Sequence, residues 1–129
     1  MSVPLPDLAK RLLDAPTYVT VTTINPDGSP HSSIVWVTRD GDDILMSTTK
    51  ARRKARNLAR DPRASVCFFD PENPYQYVEV RGRVTMTEEG GRALIDELSM
   101  KYSGRPWQKE PADTVRVVCR LMPDKVITR

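Results

Sequence analysis

The sequence contains 129 residues, of which 39% are hydrophobic and 29% charged, and its formal net charge is +3 at pH 7. This length and balance are typical of one globular domain with its own core, so we predict a single domain over residues 1–129. No run approaches the ~20 apolar residues of a membrane span, and the N-terminus lacks the apolar segment of a secretory signal. We therefore expect a cytoplasmic protein without membrane contacts.

The two cysteines carry no signature of a metal site. Cys67 and Cys119 lie in separate apolar, strand-like runs, with no CxxC pair and no cysteine–histidine cluster nearby. We predict two buried free thiols and no metal centre.

The first half of the chain predicts one helix and three strands. Residues 5–14 show the leucine spacing of an amphipathic helix, which a proline ends. The runs 17–24 and 31–39 flank the turn signal NPDG, and this arrangement predicts a hairpin. A second turn, DGDD, leads into a third strand over residues 44–49.

The second half predicts a helix over 50–60, strands over 63–70 and 75–87, a helix over 88–102, a loop over 103–113 and a closing strand over 114–129. Gly82 interrupts the long alternation of residues 75–87 and indicates a bend or a close backbone approach. Six strands joined by tight turns, with two or three helices, predict a mainly β fold: a small antiparallel barrel whose openings are covered by helices.

One short segment carries most of the positive charge. Residues 50–63 hold seven cations and one acid, so this segment is +6 while the remainder of the chain is −3. A helix N-terminus already presents free N–H groups and a partial positive charge. The predicted helix nevertheless places four cations there: Lys50, Arg52, Arg53 and Lys54. Such an excess indicates a localised anionic partner.

Three hydroxyl residues precede this helix: Ser47, Thr48 and Thr49. We expect one of them to cap the helix and the others to donate hydrogen bonds to an anion. With arginine forks beside them, they favour a phosphate site. A solvated basic face and a nucleic-acid contact are the alternatives at this point. The spacings of a P-loop and of a Rossmann GxGxxG turn are absent.

The order of three motifs resembles one family. The hairpin NPDGSPHSSIVWV, the basic run RRKARNLARDPRAS and the strand YVEVRGRV follow one another as in the flavin/deazaflavin split-barrel family. That family includes pyridoxamine 5′-phosphate oxidase and the actinobacterial F420-dependent reductases. The resemblance covers residues 15–87 and, more weakly, the last strand. It implies a six-stranded antiparallel split β-barrel of Greek-key type with α-helices.

The resemblance also implies the position of a cofactor. Members of the family form homodimers with a cofactor at each end of the subunit interface. The residues implied to hold the cofactor phosphate are Ser47, Thr48, Thr49, Arg52, Arg53 and Lys54, with Asn57 in support. The ring system would lie along the second strand, against Ser33, Ile34, Val35 and Trp36. The partner subunit would complete the site through Tyr77 and its neighbours or through the C-terminal strand.

The choice of cofactor rests on the later arginines. FMN and F420 have similar rings, but F420 carries a polyglutamate tail after its phosphate. Arg56, Arg60 and Arg63 extend the positive charge beyond the first helical turn, which favours F420 over FMN. The pyridoxamine phosphate oxidases are longer and carry further basic residues for a substrate phosphate, whereas this sequence stops at PDKVITR.

The expected activity is therefore that of an F420-dependent oxidoreductase, which transfers hydride from reduced F420 to a small electron-poor organic substrate. The sequence identifies no catalytic residue, in agreement with redox chemistry supplied by a cofactor. An FMN-dependent oxidase-like enzyme and a non-catalytic flavin or deazaflavin binder are the alternatives. Nucleic acid is disfavoured as a partner because residues 50–63 contain no interleaved aromatics. The sequence leaves the roles of two tryptophans undecided: Trp36 is a pocket wall or a core aromatic, and Trp107 is a pocket cover or a surface residue. His31 is expected at the surface.

Overall fold

A computed structural model describes residues 2–129 as a curled antiparallel sheet with three helices. The helices are α1 (Asp7–Asp14), α2 (Arg53–Arg60) and α3 (Gly91–Ser103). The strands are β1 (Val19–Ile24), β2 (Pro30–Val35), β3 (Val37–Asp40), β4 (Asp43–Thr49), β5 (Arg63–Asp70), β6 (Asn73–Thr87) and β7 (Arg116–Thr128). The prediction of a mainly β, antiparallel fold is confirmed.

All seven strands belong to one sheet, in the order β2-β1-β5-β6-β7-β4-β3. The longest ladders join β6 to β5 and to β7, and β4 pairs with β7 from Ile44–Leu121 to Thr49–Arg116. Strands β2 and β3 are the two ends of the sheet, yet they are consecutive in the chain. Because one residue, Trp36, joins them, the sheet has to curl until its two edges approach each other.

This joint corrects the predicted strand count of six. The run 31–39 is not one strand, because it divides at Trp36 into β2 and β3. The first part pairs with β1, through Val35 and Val19, and the second pairs with β4, through Val37 and Met46. A single apolar run in the sequence does not show that its two halves have different neighbours.

The core lies on the inner face of the curled sheet. Alternate residues of the central strands are buried, as in β6, where Val78, Val80 and Val84 point inward. Helix α1 contributes Leu12 and Leu13 to the same cluster. The alternation also corrects one expectation. Cys119 is buried, but Cys67 is exposed, because it points outward from β5 while its neighbours Val66 and Phe68 point inward.

Helix α2 begins three residues later than predicted, at Arg53 instead of position 50. Its N-cap is Arg52, and no side chain caps it, so the expectation that a hydroxyl of residues 47–49 caps this helix is wrong. Those hydroxyl residues form the end of β4. The buried face of α2 contains Lys54 and Asn57 as well as Ala55 and Leu58.

The predicted close approach at Gly82 is confirmed. A Cβ atom at this position would lie 2.2 Å from the carbonyl oxygen of Met122 on β7. The register between β6 and β7 shifts at the same point: Arg81 pairs with Lys125, whereas Gly82 pairs with Pro123. Glycine therefore allows the two longest strands to remain paired through a bulge.

Within residues 2–129, no helix is both long and apolar enough to cross a membrane. The same described part of the chain contains no group of three or more His, Cys, Asp or Glu side chains placed to hold a metal ion.

We predict that Gly82→Ala destabilises the fold by about 1–3 kcal/mol, because the added methyl group collides with rigid backbone rather than with a flexible side chain. Urea unfolding measures the change. Thr85→Ala, at an exposed position on the same strand, is the matched control and should shift the midpoint little. Equal midpoints for Gly82→Ala and the unmodified protein would contradict the close approach.

Candidate functional site

A cavity of about 160 Å³, here called the inner cavity, lies where β2 turns into β3. Its wall combines that corner with the end of β4, the start of α2, helix α3 and the segment before β7. The residues are Ile34, Val35, Trp36, Ser47, Arg52, Lys54, Ile95, Leu98, Trp107 and Arg116. Six of the twelve residues predicted from the sequence to bind a cofactor are therefore brought to one cavity.

Lys54 is the buried cation of this cavity. The residue is 8% exposed, and its Nζ donates a hydrogen bond to Ser33 Oγ at 3.1 Å. Among residues 2–129, no carboxylate oxygen lies within 4.0 Å of this ammonium group. Burial lowers the pKa of Lys54, and the nearby positive charge of Arg52 lowers it further. A buried ammonium without a counter-ion is costly, and an anion bound beside it would offset that cost.

The three predicted hydroxyl residues divide between different environments. Ser47 lines the inner cavity from the outward face of β4. Thr48 points to the other side of the strand, is 2% exposed, and its Oγ1 has no hydrogen-bond partner among the described residues. Thr49 lines a second cavity. The end of β4 thus supplies hydroxyl groups to both sides of the strand.

Trp36 forms part of the cavity wall rather than of the core cluster. Its ring stacks on Tyr102 of α3, with centroids 5.3 Å apart and an angle of 13° between the planes. Trp107 meets it edge to face at 5.9 Å. Of the two interpretations left open by the sequence, the structure therefore favours a pocket wall: Trp36 and Trp107 line the cavity, and Tyr102 supports Trp36.

Hydrogen bonds from α3 fix the β2–β3 corner. The hydroxyl of Tyr102 donates to the carbonyl of Thr17 at 2.5 Å and accepts from the N–H of Val37 at 3.0 Å. Lys101 Nζ donates to the carbonyl of Val37 at 2.7 Å and also to that of Leu13. Burial lowers the pKa of Lys101 and raises that of Tyr102. The backbone at Val37, which has left the β1 ladder, is therefore satisfied by side chains.

A second cavity, of about 490 Å³ and here called the outer cavity, adjoins the first. It lies between the turn that leads into α2 and the segment before β7. Arg52, Trp107 and Arg116 line both cavities. Arg116 forms a two-pronged ion pair with Glu110, in which Nη2 lies 2.9 Å from Oε2 and Nε lies 3.1 Å from Oε1. This ion pair holds the pKa of Glu110 below its usual range.

Five of the predicted site residues line neither cavity: Ser33, Thr48, Arg53, Asn57 and Tyr77. Arg53 lines a separate surface cavity with Asn25, Pro26, Asp27 and His31. Asn57 is fully buried and donates to Thr23 Oγ1 and to Asn25 Oδ1, both at 3.0 Å, so it ties α2 to the β1–β2 hairpin. Tyr77 lies on β6, opposite Phe69. The predicted contribution of Tyr77 from a partner subunit stays a prediction, as do the other predicted cofactor contacts.

Sequence reasoning missed Arg116 as a site residue and left Trp107 undecided. Arg116 alternates with the buried Val117 and Cys119 on β7, so its outward direction was readable from the sequence. Its nearness to Ser47 was not, because that depends on the pairing of β7 with β4. The nitrogen Arg116 Nη1 lies 3.5 Å from Ser47 Oγ.

The two cavities together offer two kinds of binding group. The positive charges of Arg52, Lys54 and Arg116 and the hydroxyl of Ser47 suit an oxyanion such as a phosphate. Beside them, the face and edge of aromatic rings and the free edge of β2 suit a planar, polar ring system. Strand β2 is terminal in the sheet, so backbone groups on the edge away from β1 have no strand partner.

Comparison with known proteins matches most of this chain to one family. The profile of the pyridoxamine 5′-phosphate oxidase family matches residues 5–129. A pyridoxine/pyridoxamine 5′-phosphate oxidase of Neisseria gonorrhoeae is 30% identical over 125 residues, which are 95% of this chain and 56% of that protein. An enzyme of the same name from Acidothermus cellulolyticus is 36% identical over 64 residues, 50% of this chain and 29% of its own length. The chain spans about half the length, or less, of these curated relatives.

Solved structures share the fold over nearly the whole chain. An F420 reductase superposes with a TM-score of 0.85 at 32% identity, over 95% of this chain and 98% of that one. A conserved hypothetical protein from Mycobacterium tuberculosis gives a TM-score of 0.77 at 25% identity, over 98% and 85% of the two chains.

We predict that Tyr102→Phe lowers the stability of the protein by about 1–3 kcal/mol, because it leaves the buried carbonyl of Thr17 and the N–H of Val37 unpaired. Urea unfolding, followed through tryptophan fluorescence, measures this loss and the loosening of Trp36. Tyr75→Phe is the matched control, since Tyr75 is 86% exposed. Equal effects of the two substitutions would contradict the role of the Tyr102 hydroxyl.

Proposed function

The chain belongs to the pyridoxamine 5′-phosphate oxidase family, and on this basis we propose that it is an F420-dependent oxidoreductase acting on a small electron-poor organic substrate. The observation that carries the proposal is the buried ammonium group of Lys54, which lacks a carboxylate partner and faces a cavity beside an aromatic wall. Similarity to an F420 reductase, at 32% identity, supports the deazaflavin over other cofactors.

In this proposal, Lys54 and Arg52 hold the cofactor phosphate at the start of α2. Lys54 already has its Nζ directed by Ser33, so little side-chain freedom remains to be lost when an anion binds. Ser47 adds a hydroxyl donor from β4. Thr48 follows Ser47 in the strand but points to its other side, with a buried Oγ1 that has no hydrogen-bond partner among the described residues, so it does not add to this group of donors.

The ring system would lie along the free edge of β2 and against Trp36. Backbone N–H and C=O groups of residues 33–35 can bond to the polar edge of the ring, because this strand has a ladder partner on one side only. Tyr102 fixes the position of Trp36 from behind through stacking. When bound, the reduced deazaflavin supplies the hydride, and the protein supplies position and electrostatics.

Two of the three arginines beyond the first turn of α2 are already engaged within the protein. Arg63 forms an ion pair with Asp61, with Nη2 and Oδ2 2.8 Å apart, and Arg60 donates to the carbonyl of Ile24. Arg56 is exposed and has no ion-pair partner among the described residues. Arg56 is therefore a better candidate than Arg60 or Arg63 for binding a polyglutamate tail along α2.

We also propose a homodimer, in which each curled sheet is one half of a split barrel and residues 1–129 form one cofactor-binding unit. The inner cavity, at about 160 Å³, is smaller than the ~300–1,000 Å³ of typical ligand pockets. Its wall includes Ile34, which is 62% exposed, and Phe69 is also exposed on the outward face of the sheet. A second subunit seated on this face would bury these side chains and enlarge the enclosed site.

FMN is the second candidate, because the curated relatives are named pyridoxine/pyridoxamine 5′-phosphate oxidases. The phosphate-binding groups suit FMN and F420 equally. A chain that binds either cofactor without turnover would be a carrier or sensor, so binding and activity have to be measured separately.

We predict that purified protein binds F420 more tightly than FMN, and that Lys54→Ala weakens F420 binding about tenfold or more. A charge-assisted hydrogen bond contributes about 1.5–3 kcal/mol, which corresponds to a change of this size. Fluorescence titration measures both affinities. Lys10→Ala removes the same charge from α1, away from the cavity, and should leave the affinity unchanged.

Tighter binding of FMN would move the assignment to the second candidate. Binding of neither cofactor would reject the proposed function. Tight F420 binding without oxidation of reduced F420 by a broad panel of enones, quinones and other electron-poor compounds would reject the enzymatic part alone.

We further predict that F420 affinity falls as the pH rises through the alkaline range. Burial lowers the pKa of Lys54, so this group loses its proton, and with it the attraction for phosphate, at a lower pH than an ordinary lysine. Bound phosphate favours the charged form, so affinity is highest below the pKa of Lys54 and declines above it. Lys54→Arg should remove the decline, because a guanidinium keeps its charge. The same decline in both proteins would contradict the role of Lys54.

A further inference from the structure

Arg116 is a cation at the junction of the two cavities, and it is already held by an internal acid. The Arg116 and Glu110 side chains are 11% and 13% exposed, and two nitrogens of the guanidinium face the carboxylate. Glu110 belongs to the segment between α3 and β7, whereas Arg116 begins β7. Because the carboxylate already occupies two donors of the guanidinium, any ligand oxyanion at this junction has to share Arg116 with Glu110.

A second arginine makes such sharing possible. Arg92 of α3 donates to the same carboxylate, with Nη1 and Oε1 3.1 Å apart. It also donates to the carbonyls of Trp107 and Gln108, both at 3.2 Å. Glu110 therefore has two cationic partners. Arg92 is also shared with Asp96 of α3, but that pair is longer, with Nε and Oδ2 3.5 Å apart, and more exposed. Arg92 can neutralise Glu110 while Arg116 turns its donors to another anion.

The lining of the outer cavity points to the same kind of ligand. Its cations are Lys50, Arg52, Lys109 and Arg116, and its acids are Glu110 and Asp113. Lys50 is drawn away by Glu88, with Nζ and Oε2 3.2 Å apart. Arg52 has no ion-pair partner among residues 2–129 and lines both cavities beside Arg116. The guanidinium of Arg116 also lies 5.1 Å from the centre of the Trp107 ring, in a cation–π contact.

We propose that Arg116 is an anion-binding residue of the outer cavity and that Glu110 is its built-in competitor. A phosphate or carboxylate group entering this cavity accepts hydrogen bonds from Arg116 and Arg52, while Glu110 remains paired with Arg92. The inference rests on the proposed function, in which the inner cavity holds the phosphate and ring of the cofactor. The oxyanion in the outer cavity is then either the acidic tail of that cofactor or an acidic group of the substrate.

If Glu110 competes with the ligand for Arg116, removing Glu110 and removing Arg116 must change oxyanion affinity in opposite directions. Binding of inorganic phosphate, glutarate, F420 and FMN is measured by calorimetry with the full chain. The variants are Glu110→Gln, Arg116→Gln and the double variant. Removing the competitor should strengthen oxyanion binding about three- to tenfold, and removing Arg116 should weaken it by at least as much. The double variant should resemble Arg116→Gln, because the competitor has no effect once its target is gone.

A purely structural ion pair gives a different pattern. Both single variants would then lower the melting temperature and weaken binding together, or leave binding unchanged, and either result would overturn the proposal. If Arg116→Gln does not fold, Arg116→Lys replaces it; it keeps the charge but loses the fork, so it should still weaken binding while Glu110→Gln strengthens it.

The choice of ligands identifies the source of the oxyanion. A gain for F420 but not for FMN in Glu110→Gln assigns it to the cofactor tail. A gain for glutarate with the cofactor-loaded protein, at unchanged cofactor affinity, assigns it to the substrate. The two proposals can also fail separately. Cofactor binding that depends on Lys54 but not on Glu110 overturns only this inference. If Glu110→Gln strengthens and Arg116→Gln weakens the binding of phosphate and glutarate, but no cofactor binds, only the proposed function is overturned.

Discussion

The joint between β2 and β3 is the constraint on which the rest of the structure depends. One residue, Trp36, connects the two terminal strands of a seven-stranded sheet, so the sheet can form only if it curls. At that joint the backbone leaves one ladder before it enters the next. Tyr102 and Lys101 supply the hydrogen bonds that the ladders do not, and they bring helix α3 against the corner. The cavity wall follows, because α3 also carries Ile95 and Leu98.

In the same geometry, the residues that stabilise the fold and the residues that can bind an anion lie in different places. The inner face of the sheet is an apolar cluster that contains no unpaired charge among the described residues. Arg52 and Lys54, which have no carboxylate partner among the described residues, lie instead at the mouth of the curl, where α2 begins. Asn57 connects that helix to the β1–β2 hairpin, so the position of Lys54 is fixed by a neighbour one turn away that does not line the cavity. Asn57, which was predicted as a site residue, thus fixes the position of α2 instead of lining the cavity.

Much of the fold was predictable because strand alternation and turn residues are local signals. The alternation of Val78, Val80 and Val84 identified the inner face, and the glycine among them marked a real contact between two backbones. The division at Trp36 was not predictable, since it depends on the different partners of the two halves: the first pairs with β1 and the second with β4. The start of α2 was misplaced for a related reason. Charged and hydroxyl residues in a sequence locate a helix end only approximately. The turn at residues 50–52 depends on a hydrogen bond from the N–H of Lys50 to the carbonyl of Val115, which is far away in the chain. Arg116 was missed because register between β7 and β4 is a tertiary property.

The unpaired ammonium group of Lys54 also bears on the fate of the protein in a cell. Burial of a charge without a counter-ion reduces the free energy of unfolding, and a ligand that binds only the folded state restores it in proportion to the logarithm of its concentration. The folded fraction would then rise and fall with the supply of the anionic cofactor. Chains made in excess of that supply would unfold more often and meet proteases sooner, so cofactor availability would set the abundance of the protein without any dedicated regulator.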